Sequence, residues 1–185
     1  FGDWTSDAPV PPMIDDAAGD PSPVRTVVID LPDAGQAAVY AGMRAPPRSS
    51  EDYVALELAN SVLGGGSSGR LFEEVRTKRS ISYGAYSGLP ARADDAYLIA
   101  SSQTQNSTAD EVVQVFLDEF DRLGSETLAE ELIDKRRLFL SGGYGRSLET
   151  SSGFNNIVAE LLMYGLESSE AANYAAELQG VTPEA

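Results

Sequence analysis

The order of elements in this sequence predicts an α+β domain, with a mixed or antiparallel sheet covered on one face by helices. Three observations carry that expectation. Four stretches rich in β-branched or alternating residues, at 24–31, 36–45, 81–87 and 97–103, read as strands. They come as two pairs, with a helical pattern between the pairs. From Ser107 onward the apolar residues recur only at helical spacing.

Residues 1–23 hold Pro9, Pro11, Pro12, Pro21 and Pro23 among Asp15, Asp16 and Asp20. Proline removes backbone donors and fixes φ, so this segment reads as a linker. Phe1 and Trp4 are its exceptions and are expected to dock on a neighbouring surface. The run Asp15–Asp20 lacks the order and the closing Glu of a calcium loop, and reads as solvated. The domain is then expected to occupy 24–185. Val24 to Leu31 is its first strand, Pro32 to Gly35 a turn, and Gln36 to Ala45 a second strand that can pair with the first. Pro46 and Pro47 end it. Ser49 or Ser50 is expected to cap a helix to about Leu63, whose apolar residues almost encircle it.

Gly64, Gly65 and Gly66 make the next turn, and Ser67 or Ser68 is the expected cap of a short helix. Leu71, Phe72 and Val75 form its apolar face. Arg76, Thr77, Lys78 and Arg79 end it, where cations suit the helix dipole. Ile81 to Ser87 is a strand, and strict alternation places Tyr83 on one face with Ile81 and Ala85. Ala93 to Asp95 turns the chain into the strand Tyr97 to Gln103. A helix follows with a capping-box pattern at Thr108 and Glu111 and a stripe of Val112, Val113, Phe116, Leu117, Phe120 and Leu123. Asp118, Glu119 and Asp121 are expected in solvent. A second capping-box pattern, Thr127 with Glu130, opens a long helix to about Leu148. Gly142, Gly143 and Gly145 are expected to bend it or pack closely. Helices at 151–166 and 169–178 follow. Val181 to Ala185 resembles the start of another helix, with Pro183 at the favoured first position. The domain is therefore expected to be incomplete at its C-terminus.

Composition limits the chemistry. Twenty-nine acidic residues against 13 basic ones leave a net charge of −16. That opposes binding to nucleic-acid phosphates and to anionic membranes. No run approaches the roughly 18 apolar residues of a membrane span. There is no Cys and no His. Disulfides, thiolate metal ligation and a Ser-His-Asp hydrolase within this chain are thereby excluded. Ser67 fits the pattern G-x-S-x-G but has no base. Gly64 to Gly69 also fits G-x-G-x-x-G, a dinucleotide fingerprint that needs a preceding strand and an acidic residue roughly 20 positions on. A helix precedes it here, and Asp94 comes late. No Gly-Lys-Ser/Thr follows, so a P-loop is ruled out. Acidic, alanine-rich composition points to a bacterial source.

The stretch GGGSSGRLFEEVRTKRSISYGAYSG, Gly64 to Gly88, resembles the non-catalytic, C-terminal type of domain in zinc peptidases of the M16 (insulinase, pitrilysin and processing-peptidase) family. The matching positions are the glycine turn, Ser68, Arg70, Leu71, Phe72, Arg76 and Tyr83. Ser80 departs from the glycine usual there, which leaves the shape of that turn open. The resemblance implies an M16 peptidase/LuxS-like α+β fold, one unit of a larger duplicated assembly. It also implies that zinc is held by a partner domain or subunit bearing H-x-x-E-H, in the same polypeptide or in a homo- or hetero-oligomer. This chain cannot present that motif, so by itself it is expected to be inactive and to hold no metal. By the same resemblance Arg76 and Tyr83 would bind peptide substrate near the scissile bond, with Tyr83 supporting the transition state. The residues alone leave alternatives open: Arg76 can neutralise the helix end or pair with Glu73, and Tyr83 can fill the core. Tyr86 and Tyr97 read as packing, Arg70 as a local partner, and Glu73 and Glu74 as a solvated face. Two further functions compete, a non-catalytic structural or assembly subunit of the same family and a nucleotide-binding module built on Gly64–Gly69.

Overall fold

A computed structural model describes Thr5, residues 33–91 and residues 95–183. The linker at 1–23 (apart from Thr5), the strand expected at 24–31 and its pairing lie outside these residues, as do Glu184 and Ala185. The account below concerns the unit Asp33–Ala185.

Three strands form an antiparallel sheet in the order β1-β3-β2: β1 (Gln36–Ala45), β2 (Ser82–Gly88) and β3 (Ala96–Gln105). β1 and β3 pair in unbroken register from Gln36 opposite Gln105 to Ala45 opposite Ala96. One face of the sheet is buried. Val39, Ala85, Leu98 and Ala100 point from it into a core that includes Val112 and Phe116 of α3 (Ala109–Ser125). The architecture is α+β with helices on one face, as the element order predicts.

The helix α1 (Tyr53–Gly64) has no solvent-exposed residue, in keeping with its encircling apolar pattern. It faces β2 on one side and the helical half on the other. There Val54, Leu58 and Val62 meet Ile133 of α4 (Glu130–Leu148) and Tyr174 and Leu178 of α6 (Glu170–Gly180). α5 (Ser151–Met163) packs beside α4 and α6. No helix among the described residues is long and apolar enough to cross a membrane.

Several local expectations are corrected. The caps at Ser67 or Ser68 do not form; Gly69 precedes α2 (Arg70–Phe72), and Ser68 bonds Arg136 instead. Neither capping box forms. Thr108 does precede α3, but its hydroxyl is engaged with Thr104 and the Gln105 carbonyl. α4 begins after Ala129, not Thr127. Ser50 caps indirectly, accepting the Asp52 N–H at 3.2 Å one residue ahead of α1. The glycines of α4 do not interrupt the helix, which runs from Glu130 to Leu148, and they do not pack tightly; a Cβ at Gly145 would meet nothing within 4 Å. Glu119 is buried on α3, while Val113 and Leu117 of the expected stripe are exposed. The apolar face is set by Val112, Val115 and Phe116, so the stripe is rotated from the one expected.

Two backbone constraints seat the segment between α1 and β2. An added Cβ on Gly64 would lie 2.1 Å from the Ser87 nitrogen, so only glycine lets α1 end on β2. Nearby, Ser87 Oγ donates to Asn60 Oδ1 at 2.6 Å, tying the same two elements. α2 continues directly into a π-helical segment, Glu73–Lys78. It closes at Ser80, whose φ of 56° is left-handed. That conformation lets the Ser80 and Ile81 N–H groups return to the Arg76 and Val75 carbonyls, at 3.1 Å each. The turn keeps its shape without the glycine, at a steric cost of about 1 kcal/mol.

Two outcomes follow. Ser80→Gly is expected to stabilise the protein by about 1 kcal/mol, read from the denaturant midpoint. Gly64→Ala is expected to cost about 3 kcal/mol or prevent folding, because a backbone atom cannot yield as a side-chain tip does. A neutral Gly64→Ala would show that α1 does not rest on β2.

Candidate functional site

The alternation expected for β2 breaks at its start. Ser82 opposes Thr104 and Ala85 opposes Ser102, so β2 carries one residue more than β3 between those pairs. This is a β-bulge, which re-aims the side chains beside it. Hydroxyls hold it open. Ser102 Oγ donates to the Gly84 carbonyl at 2.8 Å and contacts Ser82 Oγ at 2.9 Å. Ser82 Oγ donates to the Gln103 carbonyl at 2.6 Å and accepts the Gly84 N–H at 3.2 Å. Thr104 Oγ1 donates to the Ile81 carbonyl at 2.5 Å. The backbone groups that a regular ladder would pair are thus satisfied by side chains.

The bulge decides where Tyr83 goes. Ile81 packs on the core and Ala85 lies within it, but Tyr83 is 86 % exposed. It therefore does not fill the core. Arg76, from the π-helical segment, lies over its ring with the guanidinium carbon 5.3 Å from the centroid, a cation–π contact. Arg76 does not pair with Glu73, which instead reaches Lys78 at 3.4 Å. Among the described residues no carboxylate pairs with Arg76. The structure thus brings Arg76 and Tyr83 together at the exposed start of β2.

Beside Tyr83 the outer face of the sheet forms a shallow groove of about 390 Å³. Tyr40 and Tyr86 stand in one row across it, each opposite Ser101. Gln36, Gln103 and Tyr83 close its end. Tyr86 is more than packing: it is 45 % exposed, its ring lies 5.9 Å from that of Phe72, and Gly84 leaves it room. Tyr97, half-buried, is not in this groove. Sequence reasoning missed Tyr40, which sits in a plain strand. The available signal was its place in an uncharged run, since β1, β2 and β3 together carry one charged residue, Arg44.

The glycine turn has a structural task. Arg136, buried on α4, donates from Nη1 to Ser68 Oγ at 3.0 Å and to the Gly65 carbonyl at 3.3 Å, and from Nη2 to the Ser68 carbonyl at 2.5 Å. The Gly65, Gly66 and Gly69 N–H groups are bonded to the Ser61, Gly64 and Gly66 carbonyls. A phosphate cradle needs such N–H groups free. The turn is therefore not a nucleotide loop. Arg70 is also non-local, pairing at 3.1 Å with Glu126, and Glu74 is drawn in by Lys78 and Arg79, which hold its carboxyl below the ordinary range.

Zinc does not fit this chain. With no His and no Cys, the donors that zinc prefers are missing. Among the described residues no group of three or more acidic side chains is placed to hold a metal.

The family model described as the peptidase M16 inactive domain matches residues 1–140, which include Arg76, Tyr83 and all three strands. The chain belongs to the M16 inactive-domain family. An uncharacterized zinc protease of Streptomyces coelicolor is 30% identical over 149 residues, covering 80% of this chain and 32% of that protein. An uncharacterized zinc protease of Mycobacterium tuberculosis is 34% identical over 120 residues, covering 65% and 27%. The crystal structure of a peptidase M16 inactive domain from Pseudomonas fluorescens superposes with a TM-score of 0.74 at 24% identity, covering 82% of this chain and 36% of that one. The chain thus spans about a third of the length of the curated relatives it matches, and those relatives are bacterial.

A second cavity, of about 150 Å³, lies among α1, α4, α5 and α6 and is lined by Arg48, Glu57, Tyr144, Glu160 and Tyr174. Burial pushes the Glu57 carboxyl above its ordinary value, against the opposing effects of a Tyr174 hydrogen bond and the Arg48 charge. Burial likewise raises Tyr174 and Tyr53. A carboxyl raised on folding contributes stability at low pH, and loses it as pH climbs through the folded value. Replacing it with the neutral Glu57→Gln is thus expected to raise Tm relative to wild type progressively over the range upward of about pH 5. A Tm difference flat across that range would show the carboxylate to be solvated.

Proposed function

We propose that this M16 domain is the substrate-holding wall of a zinc metalloendopeptidase, with hydrolysis carried out at a zinc site that another domain or subunit supplies. One observation carries the reading. Arg76 and Tyr83, the two positions with a substrate role in the resembled family, are stacked on each other and exposed, beside an uncharged groove. A merely structural pair would be buried or matched with carboxylates.

The residue types suit the task. Arg76 presents several donors in a fixed plane. A peptide carbonyl laid along the edge of β2 can accept from it. Tyr83 offers a neutral O–H. Aimed at a carbonyl oxygen that gains negative charge, such a donor stabilises the transition state more than the bound ground state. The stacked guanidinium restrains the Tyr83 ring, so less rotamer freedom is lost on binding. The neutral sheet face lets an extended peptide approach without desolvating charges, although the chain as a whole carries −16.

The test is peptide cleavage by the complete parent protein, with zinc content measured in parallel. Tyr83→Phe is expected to lower kcat about a hundredfold with zinc and Tm unchanged, because the ring stays and only the donor is lost. Arg76→Ala is expected to raise KM. Equal turnover by Tyr83→Phe would end the role given to Tyr83. A wild-type parent that holds no zinc and cuts nothing would favour the structural-subunit function.

A further inference from the structure

We infer that the cavity enclosed by α2 and its π-helical continuation, the end of α3 and α4 is a binding site for a small tetrahedral oxyanion of the phosphate class, held by Arg70, Arg122 and Lys78; this does not rest on the substrate-wall reading above.

Cations gather here against the balance of the chain. The net charge is −16, yet four of the 13 basic residues, Arg70, Lys78, Arg122 and Arg136, line this one cavity of about 360 Å³. Each comes from a different element, so only the tertiary fold brings them together. The carboxylates of the cavity are Glu73, Glu74 and Glu126. Glu74 and Glu73 match Lys78, at 2.5 Å and 3.4 Å. The three guanidiniums are less well matched. Arg136 is buried and bonds the Ser68 hydroxyl and the Gly65 and Ser68 carbonyls, with no carboxylate among these partners. Arg70 and Arg122 share a single oxygen, Glu126 Oε2, at 3.1 Å and 2.7 Å. Arg122 also reaches Glu119, but only at 3.5 Å. The Nη1 of Arg70 is buried and has no partner among the described residues. A buried donor without an acceptor is costly, so this cluster has more N–H groups than oxygens to receive them.

Glu126 shows what kind of ligand fits. Two guanidiniums converge on one of its oxygens, which is how arginines hold an oxyanion. Glu126 is 39 % exposed and lies just past the last residue of α3, in the short connection to α4. It is placed as an internal substitute that can swing into solvent. Arg122, with Arg70, holds its carboxyl below the ordinary range, so it stays ionised and competes with an entering anion. A tetrahedral oxyanion carries more acceptor oxygens than a carboxylate. It can take the bonds that Glu126 now receives and still accept from Arg70 Nη1, Lys78 and the Ser68 hydroxyl. The site is built from side chains, not from the N–H groups of the glycine turn, which are bonded elsewhere. The net charge of the chain does not forbid it, because exposed charges beyond about 10 Å are largely screened at 0.1 M salt.

The probe is inorganic phosphate, added to the complete parent protein at an ionic strength fixed with chloride. Binding is read by equilibrium dialysis, with Tm in parallel. Wild type is expected to bind phosphate saturably, and sulfate to displace it where acetate does not. Arg122→Gln alters a half-exposed side chain and leaves the Arg70–Glu126 pair in place. It is expected to weaken the binding about tenfold or more. Glu126→Gln removes the competing carboxylate and is expected to tighten it about tenfold. Should Arg122→Gln fail to fold, Glu126→Gln decides alone, and binding left unchanged or weakened by it overturns the site. A general salt effect would raise Tm equally in wild type and Arg122→Gln without saturating. That result, or saturable binding indifferent to both substitutions, overturns the inference while leaving the substrate-wall reading untouched.

Discussion

The contact on which this structure turns is backbone against backbone, Gly64 on Ser87. Because no Cβ intervenes, the last residue of α1 rests directly on β2. The chain must then reverse within a few residues. Gly66 supplies a left-handed φ of 78°, and Gly69 comes back over Gly64. Arg136 reaches across from α4 to bind the carbonyls that this tight turn leaves. Its guanidinium is buried, and burial lowers its proton affinity, but an arginine remains charged under any physiological condition. The turn therefore ties the sheet half to the helical half. It also aims α2 and its π-helical continuation along β2, which is why a residue at the end of that helix meets a residue at the start of that strand.

A second constraint acts on the strand itself. The inner face of β3 presents Ser102 and Thr104 where a sheet core would ordinarily hold apolar side chains. Buried hydroxyls need partners. They find them in the carbonyls of Ile81 and Gly84, and this is possible only if β2 bulges. The same bulge throws Tyr83 to the outside, under Arg76. Core satisfaction and site formation are thus one event, and the exposed tyrosine is a consequence of buried polarity on the neighbouring strand.

The distribution of charge fits a division of labour between faces. Among the described residues the acidic side chains lie on helices and loops, and most are exposed to water, Glu119 and Glu57 being exceptions. The three strands are almost free of charge, and their outer face shows tyrosines, amides and small residues. Such a face is suited to lie against a peptide or a neighbouring domain without stripping water from ions. The His and Cys donors that zinc prefers are absent from this chain.

What the sequence determined by itself was local or compositional. The α+β order, the hairpin of β2 and β3, the buried α1 and the long α4 follow from periodicity, which each segment carries within itself. The exclusion of zinc, disulfides and a histidine-based hydrolase follows from counting His and Cys. The motif around Arg76 and Tyr83 was legible because its spacing in the chain is short. Tertiary structure alone decided the rest. Ser68 looks like a cap but is claimed by Arg136, 68 residues away. Thr108 is claimed by Thr104 rather than by its helix. Glu119 is buried although it is a carboxylate beside Asp118. Tyr83 faces outward, against strict alternation, because one extra residue in β2 is stabilised by hydroxyls on β3. Tyr40 joins Tyr86 only across a strand that comes between them in the sheet. Alternation and capping rules describe what a segment prefers alone, whereas a bulge, a shared hydroxyl or a groove exists only once distant strands are in register.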